Sequence, residues 1–366
     1  MLKRFYVENY RCLGTFELKP EGVVCLVGPN GGGKSTVFQA LQGIQAFLQG
    51  SLVAAAFPPF SWTRWDQRQV QKFELEAESV EKTNFRYELE VVHTQGPNPS
   101  IAVKAELLFA NDNLVYRNQG GEVTLFESDT TFPFDETRSF IPLFEPKGTA
   151  SVIAQFKRWA SAIWLFALRP FGLSGFADSE ANTLSTDGLN LAAWYRTILQ
   201  SRPEMAQQIV QSLRPVVPGL VSIRMEQIGR NGRHMFVSIA QPAPKGDLTV
   251  EELSDGQRCL LLLYAILHGL AASASVLVFD EPDNFVAEQE IQPWLAEIRR
   301  VVVEAGTGTL IVLTHHPAVI DYLAAGQTLF LSRPDGGATR QTDIGASIER
   351  EDGLRASEWL RNRVAG

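Results

Sequence analysis

The chain has 366 residues, 45% of them hydrophobic and 20% charged, with a formal net charge of −8 at pH 7. These proportions exclude a disordered or low-complexity chain and suit a globular protein of one large domain or two lobes. The acidic balance argues against a chain that grips nucleic acid unaided, which as a rule presents a basic face, and three cysteines without metal-type spacing argue for reduced thiols in a cytosolic protein.

The N-terminus MLKRFYVENYRCLG lacks an apolar signal core, and no apolar span approaches the roughly 20 residues a membrane helix needs. The nearest, CLLLLYAILHGLAASASVLVF, is interrupted by His268, Gly269 and two serines and reads as a buried helix followed by a buried strand. The chain is therefore expected to be cytoplasmic and to have no membrane partner.

Residues 3 to 27 read as three short strands, the last of which, GVVCLVG, is a continuous apolar run of the kind buried on both faces. Residues 34 to 48 carry Val37, Leu41, Ile44 and Leu48 at helical spacing. Over 50–150 apolar and polar residues alternate between turn signals, which predicts a β-rich antiparallel insertion with one wet face. A helix over 151–160, a buried strand in SAIWLFAL, a loop, and two helices near 189–213 follow. Two strands joined by an Asn231-Gly232 turn then lead into alternating helix and buried strand to residue 332. The expected fold class is α/β: a mainly parallel sheet flanked by helices, with an antiparallel β insertion and a helical lobe over 170–215. The expected domain organisation is one domain over 1–366, with residues 216–345 completing its core.

GPNGGGKST, Gly28 to Thr36, stands between the third strand and the first helix and satisfies G-x-x-x-x-G-K-[ST]. Backbone N–H groups of Gly28, Asn30, Gly31 and Gly33 can converge there on a polyphosphate, and the helix adds its positive N-terminal dipole. Lys34 is placed to reach the β- and γ-phosphates, Ser35 to ligate Mg2+, and Thr36 to lie beside the α-phosphate of ATP. VLVFDEP, residues 276 to 282, ends a buried strand in two carboxylates at the edge where α/β sheets bind ligands. Asp280 is expected to hold the magnesium and Glu281 to polarise water as a general base; a charged pair that merely ends a strand is the alternative. TLIVLTHHP repeats the arrangement, and His315, which leaves the strand first, is placed to meet the γ-phosphate. His316, before Pro317, is expected to cap or pack. In LSDGQRCLLLLYAIL, Ser254 and Gly256 open a helix, either as a second phosphate-facing helix terminus or as a simple N-cap.

GPNGGGKS, LSDGQ, FDEPDN and LTHHP, in that order, resemble the Walker A, signature, Walker B with D-loop, and switch-histidine motifs of ABC-type ATPases. The opening FYVENYRCLGTFELKPEGVVCLVGPNGGGKSTVFQAL resembles RecF/SMC-like heads and the stand-alone AAA-family ATPases related to the OLD proteins. The resemblance spans about residues 2 to 48 and 250 to 332. It implies a P-loop fold of ABC-ATPase type and a homodimer closed head-to-tail around two ATP–Mg2+. Ser254 and Gly256 would then face the partner's nucleotide, Arg11 would lie near the nucleotide, and Asp283 and Asn284 would line the seam. LSDGQ departs from the LSGGQ of transporters, and no Q-loop glutamine or adenine-stacking aromatic is assigned.

The interval between P-loop and signature shows β-alternation and no heptads, which excludes a long-armed SMC protein. Some thirty residues after the last core strand are too few for the nuclease domain of OLD-type proteins. The expectation is thus a switch ATPase controlling a separately encoded effector in bacterial anti-phage defence or a toxin-like system. A RecF-like DNA-repair head is the alternative, with DNA a possible partner that the charge does not indicate, and a transporter subunit is the weakest reading.

Overall fold

The protein is described from a computed structural model, which covers residues 1–94, 99–146, 151–240, 246–304, 308–323, 326–345 and 355–364. Its centre is a six-stranded sheet in the order β10 (Ile163–Phe166), β15 (Val276–Asp280), β16 (Thr309–Leu313), β3 (Val23–Val27), β17 (Gln327–Ser332) and β18 (Arg340–Asp343). The first five run parallel and β18 returns antiparallel. The apolar runs of β3, β15 and β16 are continuous because both faces of this sheet are covered. Cys25, Phe279 and Val312 point into one hydrophobic cluster, while Val24, Val278 and Ile311 point into the other.

The second cluster is closed by α1 (Lys34–Leu48), α3 (Val152–Ser161) and an eight-stranded antiparallel sheet. That sheet runs β2 (Leu13–Leu18), β1 (Leu2–Tyr10), β4 (Val70–Glu78), β5 (Asn84–Thr94), β6 (Ser100–Ala110), β7 (Asn113–Gln119), β8 (Glu122–Leu125) and β9 (Thr130–Pro133), with a short helix α2 (Val53–Ala56) before β4. Its strands alternate as a half-wet sheet must: in β5, Phe85, Tyr87, Leu89 and Val91 are buried between partly exposed Arg86, Glu88 and Glu90. One inward position breaks the apolar rule. The Glu106 carboxylate is fully buried and accepts hydrogen bonds from Tyr87 Oη at 3.0 Å, Tyr116 Oη at 2.7 Å and Ser139 Oγ at 2.6 Å. Burial, only partly offset by these donors, pushes its pKa up to about 7.

The first cluster is closed by α4 (Leu191–Ser201), α5 (Pro203–Leu213), α6 (Asp255–Gly269), α7 (Glu288–Arg299) and α8 (Pro317–Leu323), joined by α9 (Ala356–Val364). A four-stranded sheet of β11 (Phe176–Ala177), β13 (Gly232–Ile239), β12 (Leu220–Ile228) and β14 (Gly246–Thr249) stands beside α5 and α6. The helix expected over 34–48 and the hairpin turning at Asn231-Gly232 are both present. The mixed α/β content is as expected, but the mainly parallel character is confined to the central sheet. The other two sheets are antiparallel, because β1, β2 and the strands after β4 pair by hairpins rather than helical crossovers. Among the described residues no helix is long and apolar enough to cross a membrane.

Candidate functional site

The parallel register sets the site. Glu281 N donates to Leu313 O at 2.8 Å and Thr314 N to Leu26 O at 3.2 Å, so the ends of β15, β16 and β3 lie side by side along one sheet edge. Gly28 to Thr36, Asp280, Glu281, Thr314 and His315 all emerge there, as expected from the sequence.

The loop after β3 is built around glycine. Gly28 has φ 146°, and a Cβ on it would lie 2.1 Å from the carbonyl oxygen of Leu331 in β17. Gly33, with φ 112°, is the N-cap of α1, and a Cβ there would strike Thr339 Oγ1 at 2.2 Å. The loop thus fits against β17 and Thr339 only without side chains at these points. Asn30 and Gly31 are exposed at its crest. Lys34 is 7% exposed, and its ammonium donates to Gly28 O at 2.7 Å and Pro29 O at 3.3 Å. Burial lowers its pKa, opposed by Glu281 and Asp280. Ser35 is exposed at the start of α1.

Arg11 occupies the turn between β1 and β2 at φ 49°, its guanidinium 5.8 Å from the Tyr10 ring centre. Its neighbour Cys12 joins this turn to the loop: Sγ donates to Thr36 Oγ1 at 3.2 Å, and Thr339 Oγ1 lies 3.3 Å from Sγ and 3.2 Å from Gly32 O. Thr36 therefore faces the β1–β2 turn, which brings Arg11 to the loop's flank.

At the end of β15, Asp280 has its pKa pushed up to about 6, first by burial and then by Glu281, with Lys34 opposing. Glu281 leaves the strand at φ 50° and its carboxylate is held from two sides: His315 Nδ1–H donates to Oε1 at 3.0 Å and Asn284 Nδ2 to Oε2 at 2.8 Å. His316 N donates to Thr314 Oγ1 at 3.0 Å, while its imidazole Nδ1 is buried without a hydrogen-bond partner among the described residues. Asp283 departs from expectation. It is 4% exposed and accepts from Thr314 Oγ1 at 3.0 Å, so its carboxylate serves its own fold and does not line a surface. The exposed residue of that bend is Phe285, 56% exposed at φ 74°.

Ser254 caps α6: its hydroxyl accepts from Gln257 N at 3.2 Å and the Gln257 side chain accepts from Ser254 N at 3.0 Å. Ser254 is also exposed, so the capping residue is open to solvent. Gly256 lies against the bend after β15, where a Cβ would be 2.7 Å from Phe285 O. Ser254 and Gly256 are thus set apart from Lys34 on another element, though Phe285 links their turn to Glu281.

A cavity of about 430 Å3 adjoins the loop, lined by Ser35 and Asp280 and by residues the sequence did not single out: Gln39, Gln42, Arg169, Ser185, Thr186 and Asp187. Gln39 and Gln42 share a face of α1 with Ser35, a spacing visible in the sequence. The other four stand on a polar loop without periodicity. Ser35 and Asp280 supply hard oxygen ligands of the kind magnesium takes. Among the described residues no group of three or more His, Cys, Asp or Glu side chains gathers to hold an ion by itself, so nucleotide oxygens would have to complete the coordination.

A family profile described as "AAA domain, putative AbiEii toxin, Type IV TA system" matches residues 23–117 and 228–321. An OLD nuclease of Thermus scotoductus is 38% identical over 58 residues, which is 16% of this chain and 11% of that protein. The match therefore spans about a tenth of that relative. Among solved structures, an Smc head bound to the C-terminal winged-helix domain of ScpA superposes with a TM-score of 0.60 at 13% identity, over 95% of this chain and 99% of that one. An Smc head with an extended coiled coil, bound to the C-terminal domain of ScpA derived from Pyrococcus furiosus, gives 0.54 at 12% identity over 96% and 98%. The fold is that of Smc heads.

Proposed function

We propose, since the chain belongs to this AAA-domain family, that it is an ATPase switch which closes with a second copy around two ATP–Mg2+ and controls a separately encoded effector. Family and fold are those of ATPases, and the toxin–antitoxin description of the family supports a toxin-like or anti-phage setting. The observation that carries the catalytic part is the Glu281 carboxylate, fixed between His315 and Asn284 one residue beyond Asp280 and beside the Lys34 loop.

In this reading the loop N–H groups and Lys34 cradle the phosphates, and Ser35 and Asp280 hold the magnesium, which would spread the charge of the β- and γ-phosphates when bound. Glu281 takes a proton from the attacking water. Two donors to its oxygens orient it, so no side-chain freedom is lost at the moment of reaction. His315 has a 59% exposed side chain and would meet the γ-phosphate with its second nitrogen. Ser254 and Gly256 would serve the nucleotide of the other copy, with the Ser254-capped N-terminus of α6 facing its phosphates.

Glu281→Gln keeps the shape of the side chain and one of its two acceptor oxygens but not its basicity. Turnover of ATP should fall about 100-fold or more, while ATP affinity stays within a few-fold. Lys34→Ala should lose nucleotide binding itself. Phosphate release and calorimetric titration of both variants check this, and an E281Q protein that hydrolyses at the wild-type rate refutes the assignment.

A further inference from the structure

The wall of the 430 Å3 cavity opposite α1 has no task in the reading above. Its backbone is fixed: Ala167 N donates to Thr186 O at 2.9 Å and Arg169 N to Asp187 O at 3.0 Å, extending β10 beyond its last residue. Asp187 Oδ1 accepts from Ser185 Oγ at 2.6 Å and Leu189 N at 3.1 Å, and Asn190 Oδ1 accepts from Ser185 N at 2.8 Å. Ser185, Asp187 and Asn190 thus all use their side chains to hold this turn.

Arg169 is the exception. Among the described residues its guanidinium has no hydrogen-bond acceptor and no carboxylate partner, though it lines the same cavity as Asp187, Asp280 and Ser35. The arginine that meets the same segment is committed: Arg258 donates to Val250 O at 3.0 Å and to Phe171 O at 3.4 Å. A planar fork of donors on a fixed backbone, with no protein partner, suits an oxyanion that arrives from outside. The cavity's two carboxylates would repel a bare anion. They would not repel one that brings its own divalent cation.

We propose that Arg169 is a phosphate-binding residue that contacts the terminal phosphate of a nucleotide triphosphate from the side opposite Lys34, so that the site distinguishes ATP from ADP. The inference rests on the ATPase reading of the loop. It adds a residue from the β10 loop, which the motif set does not include. Because Pro170 and Phe171 follow directly and their carbonyls face Arg258 of α6, engagement of Arg169 would also reach the helix that opens at Ser254.

The test uses the full chain with excess Mg2+ and titrates AMP-PNP and ADP separately by calorimetry. Arg169→Ala should weaken AMP-PNP about tenfold or more while leaving ADP within about twofold, and Arg169→Lys should recover part of the loss. The melting temperature should not move, since the side chain has no partner to lose. Equal weakening of both nucleotides, or of neither, overturns the assignment of Arg169 and leaves the P-loop reading standing. A wild-type protein that binds neither nucleotide overturns both.

Discussion

Two glutamates show how surroundings assign work to the same carboxyl group. Glu281 is partly exposed and held by His315 and Asn284, which supports the general-base role proposed for it. Glu106 is sealed under the antiparallel sheet among hydroxyl donors, with no cation among the described residues facing it. Its folded-state pKa of about 7 lies above the ordinary 4.5, so the native state holds this proton more tightly than the unfolded chain. Its ionisation therefore costs stability as pH rises from about 4.5 through 7, by roughly 2–4 kcal/mol in all. Thermal melts at pH 5 and pH 8 should show the wild type losing stability over that interval, with Glu106→Gln flattening the difference; an unchanged pH profile in Glu106→Gln contradicts this. The candidate site residues Gly28 to Thr36, Asp280, Glu281 and His315 could be picked out in the sequence because each is defined by immediate neighbours on one strand end. Arg169 could not be, since what singles it out is a cavity shared with Asp280, more than a hundred residues away at the end of the neighbouring strand. Asp283 was misread for the same reason: only the fold shows that Thr314 takes its carboxylate inward.

At the scale of elements, the loop between β3 and α1 and the turn before α6 make separate predictions. A side chain at Gly28 would be strained in backbone and would collide with Leu331 O, whereas Gly31, at φ 78°, has open space around it. Gly31→Ala should cost only the left-handed backbone strain, about 1–2 kcal/mol. Gly28→Ala should cost clearly more and displace the loop, and equal melting temperatures for the two variants would contradict the packing described. Ser254 tests whether a cap is only a cap. Ser254→Ala should lose about 1 kcal/mol of stability, and Ser254→Asp should restore it, because aspartate caps as well. If the turn also faces a partner's phosphate, Ser254→Asp places like charges together and ATPase activity stays lost although the fold is repaired. Recovered activity in S254D reduces the turn to a structural cap. Strong periodicity made α1, β5 and β13 readable. The short strands β7, β9, β14 and β18 escaped because three of them have only four residues and each is recruited by a neighbour already in place, without a pattern of its own.

At the scale of the molecule, the central sheet separates two clusters, and its carboxyl edge gathers the candidate chemistry while the two antiparallel sheets flank it. The motif order in the sequence announced the central sheet, but the flanking sheets outnumber it in strands, which tempers the expectation of a mainly parallel fold. Lys34 and Glu281 stand on this edge, and the exposed Ser254 opens a different element. Under the proposed function, a second copy related by two-fold symmetry would complete a site divided in this way. The most direct test is the mass of the Glu281→Gln protein by size-exclusion chromatography with light scattering, with and without ATP–Mg2+. A monomer is expected without nucleotide and twice that mass with it, reverting to monomer when Ser254→Asp is added. A protein that stays monomeric in saturating ATP–Mg2+, once binding has been verified by titration, would contradict the shared site.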